Sequence, residues 1–203
     1  MEIKVLVLGN DPQINLIDFN RLDTNIITIG INRIWLKYYP NYLFFNDYDI
    51  IKELKNNPEH LANVRSKSTI FSSDWLFRSK KDIPKWVSVY NRPSRIMQNF
   101  PDSATTAISL FKNNYYKEYS FVFYIAGISL TWKEPSHFWK ELNYKSLNTC
   151  DSTWYNARFQ LILNNFKKLK DANTKMISVT PESMLNKLLR YECIDNLYVK
   201  EKL

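Results

Sequence analysis

Seven short apolar runs constrain the fold of this chain more than any other feature of its sequence. They are rich in β-branched and aromatic side chains and cover residues 4–8, 26–31, 42–45, 69–71, 86–89, 121–127 and 175–179. Continuous apolar runs of this length are typical of strands that are buried on both faces, as in parallel sheets. The sequence therefore predicts a largely buried sheet of at least seven strands.

Helix-like segments separate these runs and set the class of the fold. They cover residues 33–38, 49–55, 103–113, 153–169 and 182–189. Pro181 begins the last of them, a position that proline favours. Strands that alternate with helices predict an α/β fold with a mostly parallel sheet and helices on both faces. A length of 203 residues suits one domain, so we expect a single Rossmann-like domain over residues 1–203.

The charge balance bears on the kind of partner. The chain has 28 Lys and Arg against 20 Asp and Glu, a net charge of +8, which favours polyanionic partners such as nucleic acid or an anionic glycan. No apolar run approaches the roughly 20 residues that span a bilayer, and no signal-peptide pattern opens the chain. We expect a cytoplasmic protein, and the many Asn, Lys and Ile residues suggest an AT-rich genome such as that of a bacterium or a phage.

Polar residues follow the first three predicted strands, where α/β sheets bind ligands. They are Gly9 and Asn10, then Asn32 and Arg33, then Asn46 and Asp47. An asparagine amide both donates and accepts hydrogen bonds, so Asn10, Asn32 and Asn46 in one crevice could recognise a base, a ribose or a sugar. The alternative is that these residues only make turns and helix caps.

Known phosphate-binding motifs are missing, which excludes two common activities. Only Gly9 of a G-x-G-x-x-G pattern is present and there is no Walker lysine motif, so NAD binding and P-loop ATP hydrolysis do not fit. Ser103 opens a predicted helix, whose backbone N–H groups could hold an anion. A plain helix cap at Asp102 or Ser103 is the alternative interpretation.

Three side chains are candidates for accepting a proton, namely Asp47, Asp102 and His137. Neither histidine has a second ligand at zinc-site spacing, and we expect no metal. Arg92 and Arg95 stand in a loop with aromatic residues, and with Arg33 they are candidates for phosphate or nucleic-acid contact.

The order of these motifs resembles the CMP-sialic-acid-dependent sialyltransferases that decorate bacterial lipooligosaccharide, and the related motility-associated-factor proteins. The run from Val5 to Pro12 is similar to the family's first strand and its Gly-Asn-Gly-Pro-Ser turn, with Asp11 and Gln13 replacing the second Gly and the Ser. Asn32 and Asn46 stand where the family has asparagines after its second and third strands, and the resemblance makes them nucleotide ligands.

The second half of the chain carries the resemblance further. Residues 102–118 are similar to the family's Thr-Ser-Gly helix that ends in Tyr-Lys-Glu, with Ser103 keeping the serine, and a strand ending in Gly127 and Ile128 follows. Residues 175–189 resemble the family's last strand, Pro-x-Ser-x-Leu turn and helix. Over most of the chain, the resemblance implies a sialyltransferase-like variant of the GT-A-type glycosyltransferase fold.

Two departures bear on activity. Ser129 replaces the aspartate that follows Gly-Ile in the family, and no histidine occurs near Thr153–Tyr155, where the family has its catalytic one. Thr131 occupies a position that, in the family, binds the nucleotide phosphate. The resemblance implies a glycosyltransferase with a sugar-nucleotide donor, CMP-linked in the family, and with Gly9, Ser103 and Ser129 near the nucleotide.

The acceptor and the activity itself stay open at the level of sequence. The acceptor could be an anionic molecule, a glycan or, in a phage, the bases of DNA. Because the family's histidine is missing, the alternative is a non-catalytic or repurposed module that binds a nucleotide or nucleic acid on the same fold.

Overall fold

The computed structural model describes residues 2–77, 83–91, 102–115, 118–130, 137–138 and 158–200. Within these residues the strands are β1 (Glu2–Leu8), β2 (Ile27–Ile31), β3 (Tyr42–Phe44), β4 (Thr69–Ser73), β5 (Ser88–Tyr90), β6 (Ser120–Ala126), β7 (Thr174–Ser178) and β8 (Arg190–Tyr191). They form one sheet in the order β5-β4-β3-β2-β1-β6-β7-β8. Every neighbouring pair is parallel, so the predicted Rossmann-like α/β fold is confirmed.

The described α-helices are α1 (Asp49–Lys55), α2 (Pro58–Lys67), α3 (Asp74–Phe77), α4 (Ser103–Tyr115) and α5 (Phe159–Leu169). Short 3-10 helices cover Pro12–Leu16, Phe19–Arg21, Asn32–Leu36, Met184–Lys187 and Ile194–Leu197. No helix in the described ranges is long and apolar enough to cross a membrane.

Side chains that alternate along the strands build a core on each face of the sheet. In β1, Val5 and Val7 belong to one apolar cluster with residues of α4 and α5, whereas Leu6 and Leu8 belong to another with residues of α1 and α2. Successive strand residues point to opposite faces of the sheet, so the continuous apolar run in β1 is buried on both faces. The prediction of helices on both faces is confirmed.

Three local differences separate the structure from the sequence prediction. The segments 33–38 and 182–189 form only short 3-10 helices, and α2 was not predicted. Among the α2 side chains only Val64 is fully buried. The sequence of α2 therefore lacks the apolar stripe from which a helix is predicted. The predicted helix over 153–169 is present as α5, and its residues 153–157 lie outside the described ranges.

The strand order reverses between β1 and β6. From β1 the chain adds β2 to β5 on one side, then places β6 on the other side of β1, and β7 and β8 follow outward. β1 and β6 pair over seven residues and end together, at Leu8 and Ala126. A point of reversal leaves a crevice beyond the carboxyl ends of the two strands, where ligands of this fold class bind.

Candidate functional site

A cavity of about 160 Å³ lies beyond the carboxyl ends of β1 and β6. It is lined by residues from both strand ends, from the end of β2, from the start of α4 and from α5: Gly9, Asn10, Asp11, Ile31, Asp102, Ser103, Ala104, Gly127, Ile128, Ser129, Leu130, His137 and Ile162. We call it the β1–β6 pocket. Six residues that the sequence singled out lie together here, namely Gly9, Asn10, Asp102, Ser103, Ser129 and His137.

Two glycines allow the strand ends to meet at this pocket. The backbone N–H of Gly9 donates to the Ala126 carbonyl at 2.8 Å, and that of Asp11 donates to the Gly127 carbonyl at 2.9 Å. A Cβ on Gly9 would lie 2.2 Å from the Gly127 oxygen, and Gly127 has a φ of 63°, which glycine adopts without strain. The two strand ends therefore pack closer to each other than residues with a Cβ would allow.

Asn10 has a buried hydrogen-bond acceptor that no described residue uses. Its Nδ2 donates to the Ile31 carbonyl at 3.0 Å, which fixes the amide between β1 and β2. The buried Oδ1 accepts no hydrogen bond from any residue that the structure describes. An unsatisfied buried acceptor costs free energy, so a ligand with an O–H or N–H group gains by bonding to it.

The start of α4 forms the opposite wall, and Asp102 caps it. The Asp102 carboxylate accepts from the Thr105 N–H at 2.9 Å, from the Thr105 hydroxyl, and from Asn165 Nδ2 at 2.9 Å. Burial raises the pKa of Asp102, and these hydrogen bonds act in the opposite direction. Ser103 and Ala104 line the pocket just behind this cap, at the positive end of the helix dipole.

His137 is fixed at the pocket by its neighbour in sequence. The Phe138 N–H donates to the Asn10 carbonyl at 2.9 Å, and the Phe138 side chain is fully buried. This anchor brings His137, which is half-buried, to the residues that follow β1. The pocket thus contains one imidazole beside polar groups from two strand ends.

Asn32 and Asn46 lie along the same edge of the sheet but outside the lining of the pocket. The Asn46 N–H contacts Asn32 Oδ1 at 3.4 Å, and the Ser73 hydroxyl donates to Asn46 Oδ1 at 2.9 Å. Asn32 has a φ of 51°, a left-handed conformation that asparagine tolerates better than most residues. Residues at the carboxyl ends of β2, β3 and β4 are therefore hydrogen-bonded to one another.

The structure corrects the prediction for Arg33. Its side chain is fully buried, and its Nε and Nη2 donate to the Glu53 carboxylate at 2.8 and 2.6 Å. A guanidinium enclosed in this way is held by its carboxylate partner and is not presented to phosphate or nucleic acid. The reason lies in α1, which brings Glu53 under the end of β2.

Asp47 stands next to this ion pair and not in the β1–β6 pocket. Its carboxylate lies 3.6 Å from Arg33 Nη2 and accepts the Asp49 N–H at 3.0 Å. Burial raises the pKa of Asp47, while the Asp49 hydrogen bond and Arg33 lower it. Arg92, Arg95 and Thr131 lie outside the described residues.

Sequence reasoning assigned no role to several residues of the site. Asp11 follows Asn10 directly and lines the pocket, a placement that its position after β1 could have indicated. Asn165 supports Asp102 from α5, where it is a buried polar residue on an otherwise apolar face. Among the described residues, no group of three or more His, Cys, Asp or Glu side chains is arranged to hold a metal.

Comparisons with known proteins bear on the fold. No family model matches this sequence, and no curated protein matches it either. The crystal structure of the sialyltransferase CST-II with a trisaccharide acceptor and CMP superposes with a TM-score of 0.53 at 14% identity, covering 98% of this chain and 89% of that chain. The chain has a sialyltransferase-like fold.

A second solved structure agrees with the first. The sialyltransferase CstII from Campylobacter jejuni with cytidine-5'-monophosphate superposes with a TM-score of 0.52 at 14% identity, over 98% of this chain and 88% of that chain. The likeness extends over nearly all of both chains, so it concerns the whole sheet and its helices rather than one shared βαβ unit.

Proposed function

We propose that this protein is a glycosyltransferase that takes its sugar from a nucleotide donor and transfers it to a hydroxyl group of a glycan. The observation that carries the proposal is the β1–β6 pocket, because it lies at the point of strand reversal and is lined by Gly9, Asn10, Ser103 and Ser129. Solved structures of the same fold are described as complexes with CMP and with a trisaccharide acceptor. We therefore propose a CMP-linked sugar as the donor.

The two walls of the pocket suit the two parts of a nucleotide. Asn10 Oδ1 is an acceptor without a partner in the described part of the chain, so it can bond to an amino group of the base or to a ribose hydroxyl. The start of α4 at Ser103 favours a negative charge, such as the phosphate. A ligand with donors at one end and an anion at the other fits both walls.

His137 is the residue that we assign to accept the proton of the acceptor hydroxyl. Both oxygens of Asp102 already accept hydrogen bonds, and Asp47 lies outside the pocket, whereas His137 lines it. As the acceptor oxygen forms its bond to the anomeric carbon, the bond from that carbon to the phosphate oxygen breaks. The hydroxyl proton passes to the imidazole, and CMP leaves with the bonding electron pair.

Calorimetric titration with CMP and CMP-sialic acid, followed by an assay of CMP release with glycan acceptors, tests the proposal. We expect binding of both, release of CMP that depends on the acceptor, and a loss of about 100-fold or more in kcat in His137→Gln with nucleotide affinity retained. Absence of nucleotide binding overturns the proposal. Binding without turnover of any glycan identifies the alternative, a nucleotide-binding module.

A parallel arm of the same assay tests DNA as the acceptor. Single- and double-stranded oligonucleotides replace the glycan, at two salt concentrations. Transfer of label to DNA would replace the glycan acceptor in our proposal. Salt-sensitive binding of DNA without transfer would indicate phosphate contacts outside the pocket.

A further inference from the structure

Ser183 lies outside the β1–β6 pocket but bonds to the loop that lines it. Its hydroxyl donates to the Ile128 carbonyl at 2.6 Å and contacts the Ser129 carbonyl at 3.2 Å. The Met184 N–H also donates to the Ser129 carbonyl, at 2.7 Å. Two consecutive carbonyls of the pocket loop are thereby directed at the turn that follows β7.

That turn is itself rigidly braced. Ser183 is 6% exposed, and its hydroxyl accepts the Leu185 N–H at 3.0 Å as the cap of the 3-10 helix. Asn186 Nδ2 donates to the carbonyls of Thr180 and Pro181 at 3.1 and 2.7 Å. The hydroxyl therefore sits in a fixed frame that can impose an orientation on the loop after β6.

The orientation of the carbonyls fixes the N–H groups as well. In a trans peptide the C=O and the following N–H point in opposite directions. With the carbonyls of Ile128 and Ser129 held at Ser183 and Met184, the N–H groups of Ser129 and Leu130 point away from that turn, and both residues line the pocket. Leu130 has a φ of 53°, and its N–H donates to no residue that the structure describes.

We propose that Ser183 is a positioning residue of the β1–β6 pocket, whose hydroxyl turns the backbone N–H groups of Ser129 and Leu130 toward a bound nucleotide. Successive backbone N–H groups that face the same way form concavities that bind anions such as phosphate. The inference rests on the proposed function for the identity of the ligand, but the orientation of the two peptides is testable without any ligand.

The test compares Ser183→Ala with Ser183→Thr and with Ser68→Ala as a matched control. Ser68 makes the same kind of bond, from its hydroxyl to the Pro40 carbonyl at 2.5 Å, but it precedes β4 and so lies at the opposite edge of the sheet. The readouts are the dissociation constant for CMP, the melting temperature, and the amide NMR resonances of Ser129 and Leu130 in the protein without ligand.

We expect Ser183→Ala to weaken CMP binding about tenfold, the effect of losing one or two well-placed hydrogen bonds, and to shift both amide resonances. Ser183→Thr keeps the hydroxyl and should restore both properties, while Ser68→Ala should lower the melting temperature similarly and leave affinity unchanged.

Unchanged amide resonances in Ser183→Ala overturn the inference whatever the ligand. Equal loss of affinity in Ser68→Ala also overturns it, since the effect would then follow stability alone. If wild-type protein does not bind CMP, the proposed function fails, and the resonances still decide whether Ser183 orients the loop.

Discussion

Asparagines follow strands in two regions of the sheet edge, one beside β1 and β6 and the other at β2 to β4. Their side chains have different partners in the two regions. Gly9 and Asn10 follow β1, Asn32 follows β2 and Asn46 lies just beyond β3. At β1 the asparagine keeps a buried acceptor unused by any described residue. At β2 to β4 the polar groups bond to one another, in the chain from Asn32 through Asn46 to Ser73.

The difference follows from strand order rather than from residue type. Between β1 and β6 the connections lead away on opposite sides, so the loops diverge and leave a cavity. From β2 to β4 the chain progresses in one direction, and residues at successive strand ends bond to one another. In this region the asparagine amides bond to neighbouring protein groups and so form a closed edge. The buried Arg33–Glu53 ion pair lies beneath them.

The largest effect is expected from breaking that ion pair. Glu53→Ala leaves the fully buried Arg33 guanidinium without its carboxylate and should lower the free energy of unfolding by about 3–5 kcal/mol, as measured by urea denaturation. The double variant Arg33→Met/Glu53→Leu removes both charges and should recover most of the loss. If both variants retain wild-type stability, the closed edge does not depend on the pair.

A smaller loss of stability, with a specific loss of binding, is expected from Gly9→Ala. The new Cβ meets the Gly127 oxygen at 2.2 Å, and overpacking of this kind costs about 1–3 kcal/mol. Gly30→Ala is the control, because its Cβ meets Ile34 and Pro40 instead, away from the pocket. Denaturation and CMP titration of both variants decide the matter: we expect CMP affinity to fall only in Gly9→Ala, and an equal fall in Gly30→Ala would contradict the contrast.

A direct comparison of the two edges uses two asparagines. Asn10→Ala should weaken CMP binding about tenfold, because it removes the unused acceptor, whereas Asn46→Ala should change affinity less and stability more. Calorimetric titration and thermal melting give both quantities. That Asn32 and Asn46 bind the nucleotide stays a prediction from sequence. A loss of affinity in Asn46→Ala as large as in Asn10→Ala would support that prediction and contradict the proposed difference between the two strand edges.

The smallest effect concerns pH and Asp102. Its pKa in the folded protein is raised above the ordinary value of 3.8 by burial, so the folded state binds the proton more tightly than the unfolded state. The stability that Asp102 contributes is therefore present at low pH and is lost as pH rises from about 4 through the folded pKa. The difference in unfolding free energy between wild type and Asp102→Asn should shrink over this range in urea titrations. A difference that grows with pH would show that the hydrogen bonds from Thr105 and Asn165 outweigh burial.

Much of the fold could be predicted from the sequence, because the signals are local. Each of the seven apolar runs overlaps a strand of the sheet, and the helix-like segment 103–113 lies within α4. The two-residue strand β8 and the helix α2 could not be predicted in this way. β8 is too short for a pattern, and α2 has too little buried surface to show one.

The sequence by itself determined the parallel sheet, the polar strand ends and the candidate residues at them, because spacing and side-chain chemistry are written along the chain. Only the tertiary structure decided which of these residues share a pocket. His137 reaches Asn10 through the Phe138 hydrogen bond, Glu53 encloses Arg33, and Ser183 bonds to Ile128 across 55 positions in sequence. Such contacts depend on the order in which strands are placed side by side, and that order arises from packing of the whole chain rather than from any segment of it.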